Sequence, residues 1–307
     1  MKILIAIGSK DYSKSTLRAG MKVAQAFNAK TTIIDVGEKI SAFSNQLIDL
    51  AQEQMESWDF DPPGVDVLEW AYNFLSDKKL IDSKQIKNGF PKNKLIDEGE
   101  DRKLVYLSGT VCDDVNLILR SGDVISELRE EVQYGEYDFT IVGKSQKRNM
   151  SHDLLQYIDS SILVVNQYRN DDFSRVLLPI YNSTTGIMKV AKYCIKIANA
   201  YKIGIDMINF AKDENKSIDS KIVNKISKLI RRAKVDYNNI IEKGDIADKI
   251  INQAGKDKII VMGASKMNPF RRYFRGSIPL SVMNRCNVPI LIVKWWLNYN
   301  FTIFLFV

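Results

Sequence analysis

Residues 261–293, VMGASKMNPFRRYFRGSIPLSVMNRCNVPILIV, contain a strand, a loop, a helix and a second strand in succession. The apolar run 259–262 is typical of a short buried strand, and we expect the backbone to turn at Gly263 because this residue has no Cβ. Ser277 is a good N-cap and Pro279 is tolerated in a first turn, which predicts a helix to about Arg285. The amides at the start of this helix would favour an anion such as phosphate.

Length and composition indicate a globular protein of two domains. The chain has 307 residues, of which 45% are hydrophobic and 26% charged, and domains usually contain about 150 residues. The net charge is +7. Much of this excess lies within residues 221–234, where the apolar residues recur at helical spacing. A solvated helix face and a surface for acidic partners are both open interpretations of this segment.

Three cysteines without CxxC spacing predict neither a disulfide scaffold nor a zinc site, and they fit a reducing compartment. The N-terminus lacks the apolar core of a signal peptide, so we predict a cytoplasmic protein. Residues 295–307 form an apolar tail that is shorter than the ~17 to 25 residues needed to span a bilayer. We favour a packed or disordered extension for this tail, while contact with a membrane surface and an abnormal terminus stay open.

The sequence is duplicated. Residues 2–9 match 175–183 with one position of slack, and the turn Ser121-Gly122-Asp123 matches Lys243-Gly244-Asp245. Each turn is followed by a helical stretch, a strand that ends in glycine, at Gly143 or Gly263, and later a last strand, 162–165 or 290–293. Similar anchors in the same order predict two related halves, a first domain over 1–168 and a second over 173–294.

Short β-branched runs alternate with amphipathic segments in each half. This alternation predicts an α/β fold of two tandem Rossmann-like domains, each a parallel sheet of about five strands flanked by helices. In such sheets ligands bind beyond the carboxyl ends of the strands, where the strand order reverses. Gly263 and Ser277 are predicted to lie at that edge.

These motifs resemble the universal stress protein (UspA) family in its tandem, two-domain form. The nucleotide loop of that family has a glycine, two residues, a second glycine, nine residues and then Gly-Ser or Gly-Thr. Here the loop begins at Gly263 and ends at Gly276-Ser277 with the spacing intact, but Lys266 replaces the second glycine. The resemblance implies a stress-response or regulatory protein that binds an adenine nucleotide such as ATP, with Mg²⁺, in its second domain. It also implies that the last strands pair within the chain as a pseudo-dimer, or between chains as a homodimer.

By position, the resemblance implies the following nucleotide-binding residues: Pro179, Tyr181, Phe210, Met262, Gly263, Lys266, Gly276, Ser277 and Ile278. The first strand of the family ends in an aspartate beside the nucleotide, but this chain has Tyr181 there, and Gly8 in the first half. Tyr181 either stacks on a base or is a buried core residue. Lys266 either obstructs the phosphate path, at a cost of about 1–2 kcal/mol if φ is positive, or binds phosphate through its ammonium group. A third interpretation is a solvated basic loop that Lys266 shares with Arg271, Arg272 and Arg275.

The first half differs in two ways. Gly143 and Ile162 are 19 positions apart, whereas Gly263 and Ile290 are 27 apart, so this copy is expected to have lost nucleotide binding. It also contains an insertion of about fifty residues, at about 38–112, because residues 7 and 122 are 115 positions apart while their counterparts 180 and 244 are 64 apart. Residues 46–58 and 67–75 of the insertion have helical spacing, and residues 77–103 are predicted to be a polar loop. We expect the insertion to be a surface for a protein partner.

No pair of carboxylates, metal-ligand cluster or nucleophile with its base supports catalysis. We therefore predict no catalytic residues, no metal site and no enzyme, with weak nucleotide hydrolysis left open. His152, the only histidine, is expected to cap a helix or to form a surface hydrogen bond. Neither a nucleic-acid partner nor a membrane span is predicted. The main alternative function is a protein-interaction module of the same fold that has lost nucleotide binding in both halves.

Overall fold

A computed structural model of the chain describes residues 1–37, 64–81, 96–99, 102–108, 114–144, 150–165, 173–181, 186–210, 220–264 and 277–294. The strands of the first half are β1 (Lys2–Ile7), β2 (Lys30–Gly37), β3 (Ile96–Asp97), β4 (Arg102–Ser108), β5 (Asp114–Ser121), β6 (Phe139–Gly143) and β7 (Ser161–Val165). Its helices are α1 (Lys10–Phe27), α2 (Val65–Asp77), α3 (Val124–Gly135) and α4 (Met150–Tyr157).

Within its described residues, the second half contributes five strands and four helices. The strands are β8 (Arg175–Ile180), β9 (Gly204–Phe210), β10 (Tyr237–Glu242), β11 (Lys258–Gly263) and β12 (Ile290–Val293). The helices are α5 (Ile187–Tyr201), α6 (Ser220–Arg232), α7 (Ile246–Ala254) and α8 (Ile278–Arg285).

All these strands form one sheet of twelve, in the order β10-β9-β8-β11-β12-β7-β6-β1-β2-β5-β4-β3. Five neighbouring strands in each half are parallel and follow the same order, β5-β2-β1-β6-β7 in the first half and β10-β9-β8-β11-β12 in the second. The prediction of two Rossmann-like units with about five parallel strands each is therefore confirmed.

The two halves join through their last strands. β7 and β12 run antiparallel, with Leu163 opposite Leu291, so the predicted pairing within the chain is confirmed. On one face of the sheet, α1 packs against α5, and the rings of Phe27, Phe139 and Tyr193 lie with centroids 5.0–5.1 Å apart. On the other face, α4 contacts α8.

The buried core has two layers, one on each face of the sheet, and each layer extends across both halves. Alternation along a strand sends successive side chains to opposite layers. Thus Ile3 and Ile5 belong to the layer beneath α1, α2, α5 and α6, whereas Leu4 belongs to the layer beneath α3, α4, α7 and α8. Because both faces are covered, the strands are almost continuously apolar, as is usual for parallel sheets.

Matching helix caps show the repeat at atomic detail. Asp123 accepts a hydrogen bond from the amide of Ser126, and Asp245 accepts one from the amide of Asp248. The preceding glycines, Gly122 and Gly244, have φ values of 152° and 108°, a conformation that favours glycine. The Gly-Asp pair therefore starts the same helix in both halves.

The insertion extends the sheet at the outer edge of the first half. The helix predicted at 67–75 is present as α2, whereas the helix predicted at 46–58 lies outside the described residues. The prediction of a loop over 77–103 is wrong where this segment enters the sheet. Ile96–Asp97 form β3, and Arg102 and Lys103 begin β4, which pairs antiparallel with both β3 and β5. The buried guanidinium of Arg102 binds Glu131 of α3, a distant partner that holds this polar segment in the sheet.

Candidate functional site

The strand order of the second half reverses between β8 and β11. β8 pairs with β9 on one side and with β11 on the other, so the crevice at the carboxyl ends of β8 and β11 is the expected ligand position of this fold. Seven of the nine predicted site residues fall at this edge: Pro179, Tyr181, Phe210, Met262, Gly263, Ser277 and Ile278. The other two, Lys266 and Gly276, lie outside the described residues.

Tyr181, directly after β8, is a buried core residue with 8% of its surface exposed. Its ring belongs to the same buried layer as Phe210 and Met262. Its hydroxyl donates a hydrogen bond to the carbonyl oxygen of Gly263. Burial raises the pKa of Tyr181, so the phenol stays neutral. Of the two interpretations left open by the sequence, the structure favours the core residue.

Gly263 does not turn the backbone in the way that the sequence suggested. Its φ is not in the positive range, and a Cβ placed on it would make an ordinary 3.4 Å contact with Val190. The next amide, of Ala264, donates to the carbonyl of Val293 at 2.9 Å. The expectation of an obligatory glycine turn is therefore wrong at this position, because pairing with β12 continues past the end of β11.

Helix α8 begins as predicted. The Ser277 hydroxyl accepts a hydrogen bond from the Leu280 amide at 3.3 Å, Pro279 lies in the first turn, and the helix ends at Arg285. Because Pro279 has no N–H and Ser277 satisfies Leu280, the Ile278 amide is left without a partner among the described residues. The first turn contains no acidic side chain, so the partial positive charge of the helix start is not neutralised there.

At the corresponding edge of the first half, described polar groups form hydrogen bonds within the chain. The amides of Gly8 and Ser9 both donate to the Ser13 hydroxyl, at 3.1 and 3.2 Å. The ammonium of Lys144, after β6, donates to the Cys286 carbonyl at 2.6 Å and so fastens this edge to the second half. His152 was predicted to cap a helix or to bond at the surface, but its side chain lies outside the described residues.

Sequence reasoning missed a buried polar position at the end of the second strand of each half. Asp35 pairs in register with Ile7, and Asn209 pairs with Ile180, so the two residues are equivalent. Asp35 lies beside Gly64, the N-cap of α2. Burial and the nearby Asp66 carboxylate raise the pKa of Asp35 to about 7. Aligning the two halves strand by strand would have revealed the pair.

Comparison with known proteins identifies the family of the second half. Residues 173–294 match the sequence model of the universal stress protein family. The second half of this chain is a universal stress protein domain. A solved universal stress protein from Archaeoglobus fulgidus DSM 4304 is similar over 96% of both chains, with a TM-score of 0.60 and 14% identity. A functionally unknown protein from Pseudomonas aeruginosa PAO1 is similar over 95% of this chain and 92% of its own, with a TM-score of 0.52 and 14% identity.

These similarities show that both halves have the fold of a tandem universal stress protein. No curated protein matches the chain. Within the described ranges, no three His, Cys, Asp or Glu side chains are grouped to hold a metal ion, and no helix is long and apolar enough to cross a membrane. Cys194 and Cys286 are buried free thiols, and burial raises the pKa of Cys194.

Proposed function

We propose that this chain, whose second half is a universal stress protein domain, is a regulatory, stress-response protein that binds an adenine nucleotide at the carboxyl ends of the strands of that domain. The observation that supports this proposal is the start of α8. The amide of Ile278 has no partner among the described residues, and it begins a helix without acidic residues in its first turn. This helix start lies at the edge of the sheet between β8 and β11, where the strand order reverses. The loop that joins β11 to α8 keeps the family spacing between Gly263 and Gly276-Ser277.

The phosphate end of the site fits a polyphosphate better than a single phosphate. The loop sequence carries four cations, Lys266, Arg271, Arg272 and Arg275. Charge-assisted contacts from such side chains are stronger than neutral hydrogen bonds, and they compensate for the missing second glycine. We therefore propose ATP, with Mg²⁺ on its phosphates, as the nucleotide. We propose no catalytic step beyond, at most, slow hydrolysis, and we propose that the protein acts in the cytoplasm.

The part of the site that would contact the adenine base matches the family pattern less closely, because Tyr181 occupies the position of the family's aspartate. Its hydroxyl is engaged with Gly263, so no carboxylate is present at this position to accept a hydrogen bond from the adenine amino group. Discrimination between purines depends on such polar groups. We therefore propose that this site distinguishes ATP from GTP only weakly.

Calorimetric titration of the full chain with ATP, with and without Mg²⁺, tests the proposal. We expect binding that Gly276→Trp abolishes, because a bulky side chain would fill the phosphate loop. A matched control is Gly8→Ala in the first half, where a Cβ meets no atom within 4 Å, and affinity should not change. Lys266→Gly weakens binding if the ammonium contacts phosphate and strengthens it if the side chain obstructs the loop. An absence of heat at millimolar ATP would refute nucleotide binding.

A specific observation favours the second candidate, a protein-interaction module without nucleotide. The hydrogen bond between Tyr181 and Gly263 closes the crevice between β8 and β11 with the chain's own side chain. Under this alternative, titration with ATP gives no heat of binding for the wild-type chain or for Lys266→Gly. The insertion of the first half, which extends the sheet through β3 and β4, is then the proposed surface for a protein partner.

A further inference from the structure

Among the described strands, the two that end the sheet differ in kind. At one end lies β3, which is only two residues long. At the other end lies β10, with six residues, and within the described ranges β10 pairs with β9 alone. Natural proteins protect edge strands from pairing with other chains by making them short or by placing lysine or proline in them. β10, with the sequence YNNIIE, has none of these protections.

The internal repeat shows what kind of strand this edge accepts. β5 is the equivalent of β10 in the first half, because each strand precedes a Gly-Asp helix cap, at Gly122 and Gly244. β5 is not an edge strand, since β4 pairs with it antiparallel along its length. Leu119 of β5 is therefore 2% exposed, whereas its equivalent in β10, Ile241, is 70% exposed. The second half thus has the geometry for an added antiparallel strand at β10.

Three residues of β10 direct their backbone groups towards this edge. The carbonyl oxygen of Asp236, just before β10, accepts a hydrogen bond from the amide of Ile205 at 2.8 Å. Successive residues of a strand bond alternately to its two sides, so the even-numbered residues of β10 bond to β9. The N–H and C=O groups that point outward are those of Tyr237, Asn239 and Ile241.

These outward residues are complementary to a second copy of themselves. A two-fold axis at Asn239, normal to the sheet, would set Asn239 opposite its own copy and Tyr237 opposite Ile241 of the second copy. All three would form hydrogen-bonded pairs of an antiparallel ladder, and every outward N–H and C=O would gain a partner. Tyr237 is half-buried and Ile241 is exposed on the same face, and an aromatic side chain opposite a β-branched one stabilises such a ladder.

The ion pairs on the opposite face of the sheet have a precedent in the first half. Arg102 of β4 lies opposite Arg120 of β5, and both guanidinium groups bind the carboxylate of Glu131, at 2.9 and 3.2 Å. The second half carries inverted charges at this place. Glu242 occupies the position of Arg120, two residues before the glycine, and it binds Lys249 of α7 at 3.0 Å.

The same two-fold axis would complete this inverted cluster. With Asn239 at the axis, Asp236 of the second copy would lie opposite Glu242, and the two carboxylates would share the ammonium group of Lys249. Asp236 binds Arg175 at 2.8 Å, but its side chain is 77% exposed. Lys249 is 39% exposed. Both charges are therefore accessible from a second copy of the chain.

We propose that two copies of this chain pair through β10 in an antiparallel register centred on Asn239, so that the sheet continues from one copy into the other. The junction of β7 and β12 is already formed within the chain, so this interface is a different one. The match of Tyr237 with Ile241, and of Asp236 with Lys249, favours a second copy over an unrelated strand. A contact through one strand of each copy is small, so the dimer is reversible.

Sedimentation equilibrium of the full chain tests the proposal. We expect a dimer that is populated at about 100 μM and dissociates on dilution to about 1 μM. Asn239→Pro removes an outward N–H and no bond to β9, so the two lost hydrogen bonds per dimer should weaken association by about tenfold or more. Asn239→Thr is the matched control, because it keeps the N–H and should associate within about threefold of the wild type. Both variants lose the side-chain hydrogen bond from Asn209 to Asn239, so that loss does not separate them.

Disulfide trapping tests the register. In a hydrogen-bonded antiparallel pair the facing Cα atoms lie about 5.5 Å apart, which is within the range of a disulfide. Asn239→Cys should therefore form a covalent dimer on mild oxidation. Ile241→Cys is the matched control, since the two copies of residue 241 would be about 13 Å apart along the strands. Neither this variant nor the wild-type chain should form the covalent dimer.

A chain that ends at Lys294 should dimerise like the full chain, and circular dichroism checks that each variant is folded. A full chain that stays monomeric at the higher concentration, equal association of Asn239→Pro and Asn239→Thr, or equal trapping of the two cysteine variants would overturn the proposal. A dimer that truncation abolishes would indicate association through residues 295–307. A monomer that truncation converts into a dimer would identify those residues as the occupant of the edge. Either result would also overturn the proposal.

Discussion

The hydroxyl of Tyr181 donates a hydrogen bond to the carbonyl oxygen of Gly263 and so joins the ends of β8 and β11. These are the two strands between which the order of the sheet reverses. A ligand that enters the crevice there meets a buried phenol and an acceptor that is already satisfied. The strength of this one bond therefore bears on both the stability of the second domain and its affinity for a nucleotide.

Replacing Tyr181 by Phe should lower the free energy of unfolding by about 1 kcal/mol, because the Gly263 carbonyl loses its partner. If the nucleotide has to displace this bond, the same change should strengthen ATP binding. Urea denaturation and calorimetric titration measure the two effects. Tyr157→Phe, at a phenol with 41% of its surface exposed, is the control and should change neither quantity. Weaker ATP binding in Tyr181→Phe would contradict this reasoning and would indicate that the hydroxyl contacts the ligand.

A second prediction concerns the buried carboxylate that anchors the insertion. Glu131 is fully buried and accepts hydrogen bonds from Arg102 at 2.9 and 3.2 Å, from Arg120 at 3.2 Å and from Tyr137 at 3.0 Å. Glu131→Gln removes the fully buried charge that Arg102 and Arg120 share, although Glu98 still pairs with Arg102 and Glu127 with Arg120. We expect the free energy of unfolding to fall by about 3 kcal/mol, measured by urea denaturation.

The neighbouring Glu130 provides the matched control for that change. Its side chain is 58% exposed and lies 3.4 Å from Arg120. Exposed ion pairs contribute little, so Glu130→Gln should change the stability by less than about 1 kcal/mol. Equal losses in the two variants would show that the cluster acts through net charge rather than through its buried geometry.

The topology could be predicted from the sequence because the determining signals are local and occur twice. Asp123 and Asp245 each follow a glycine and each cap a helix, and the residues opposed at the β7–β12 junction belong to apolar runs of the same length. A pattern that repeats in the same order limits the possible folds. The predictions for α8 succeeded for the same reason, since the cap at Ser277 and the proline at Pro279 act within one turn.

The details of the site could not be predicted, because they depend on contacts between distant parts of the chain. The sequence does not indicate that the Tyr181 hydroxyl reaches Gly263, 82 positions away. Likewise, nothing near Asp35 indicates that Gly64 lies against it. The predicted glycine turn at Gly263 failed because a hydrogen bond from Ala264 to Val293 keeps the backbone extended, and that bond depends on tertiary pairing.

A third prediction uses the raised pKa of Asp35, which is 3% exposed. Its pKa is about 7 in the fold and 3.8 in the unfolded chain. Between these values the folded state holds a proton that the unfolded state releases, so this residue lowers the stability progressively as the pH rises from about 4 to 7. Asp35→Asn, which copies Asn209 of the second half, removes the penalty.

We therefore expect Asp35→Asn to gain stability over the wild type with rising pH, by on the order of 3 kcal/mol at pH 7 and above. Urea denaturation at a series of pH values measures this difference. Asp66→Asn is the control for the neighbouring carboxylate. This change should lower the pKa of Asp35 and so provide part of the stability that Asp35→Asn gains. A stability difference between Asp35→Asn and the wild type that is the same at every pH would contradict a raised pKa of Asp35 in the fold.

Lys294 gives a prediction of the opposite sign at the junction between the halves. The side chain is buried, its ammonium donates to the Ile158 carbonyl, and its amide donates to the Ser161 hydroxyl at 3.2 Å. Burial lowers the pKa of Lys294 from 10.5 to about 8, although Asp159 partly opposes the shift. Below pH 8 the fold carries a buried charge that the unfolded chain solvates freely, and this cost disappears as the pH rises towards 10.5.

Lys294→Met should therefore have its largest stability advantage over the wild type near pH 7. That advantage should shrink by about 3 kcal/mol between pH 8 and 10.5, as measured by urea denaturation, whereas an advantage that grows with pH would show that the ammonium stabilises the junction.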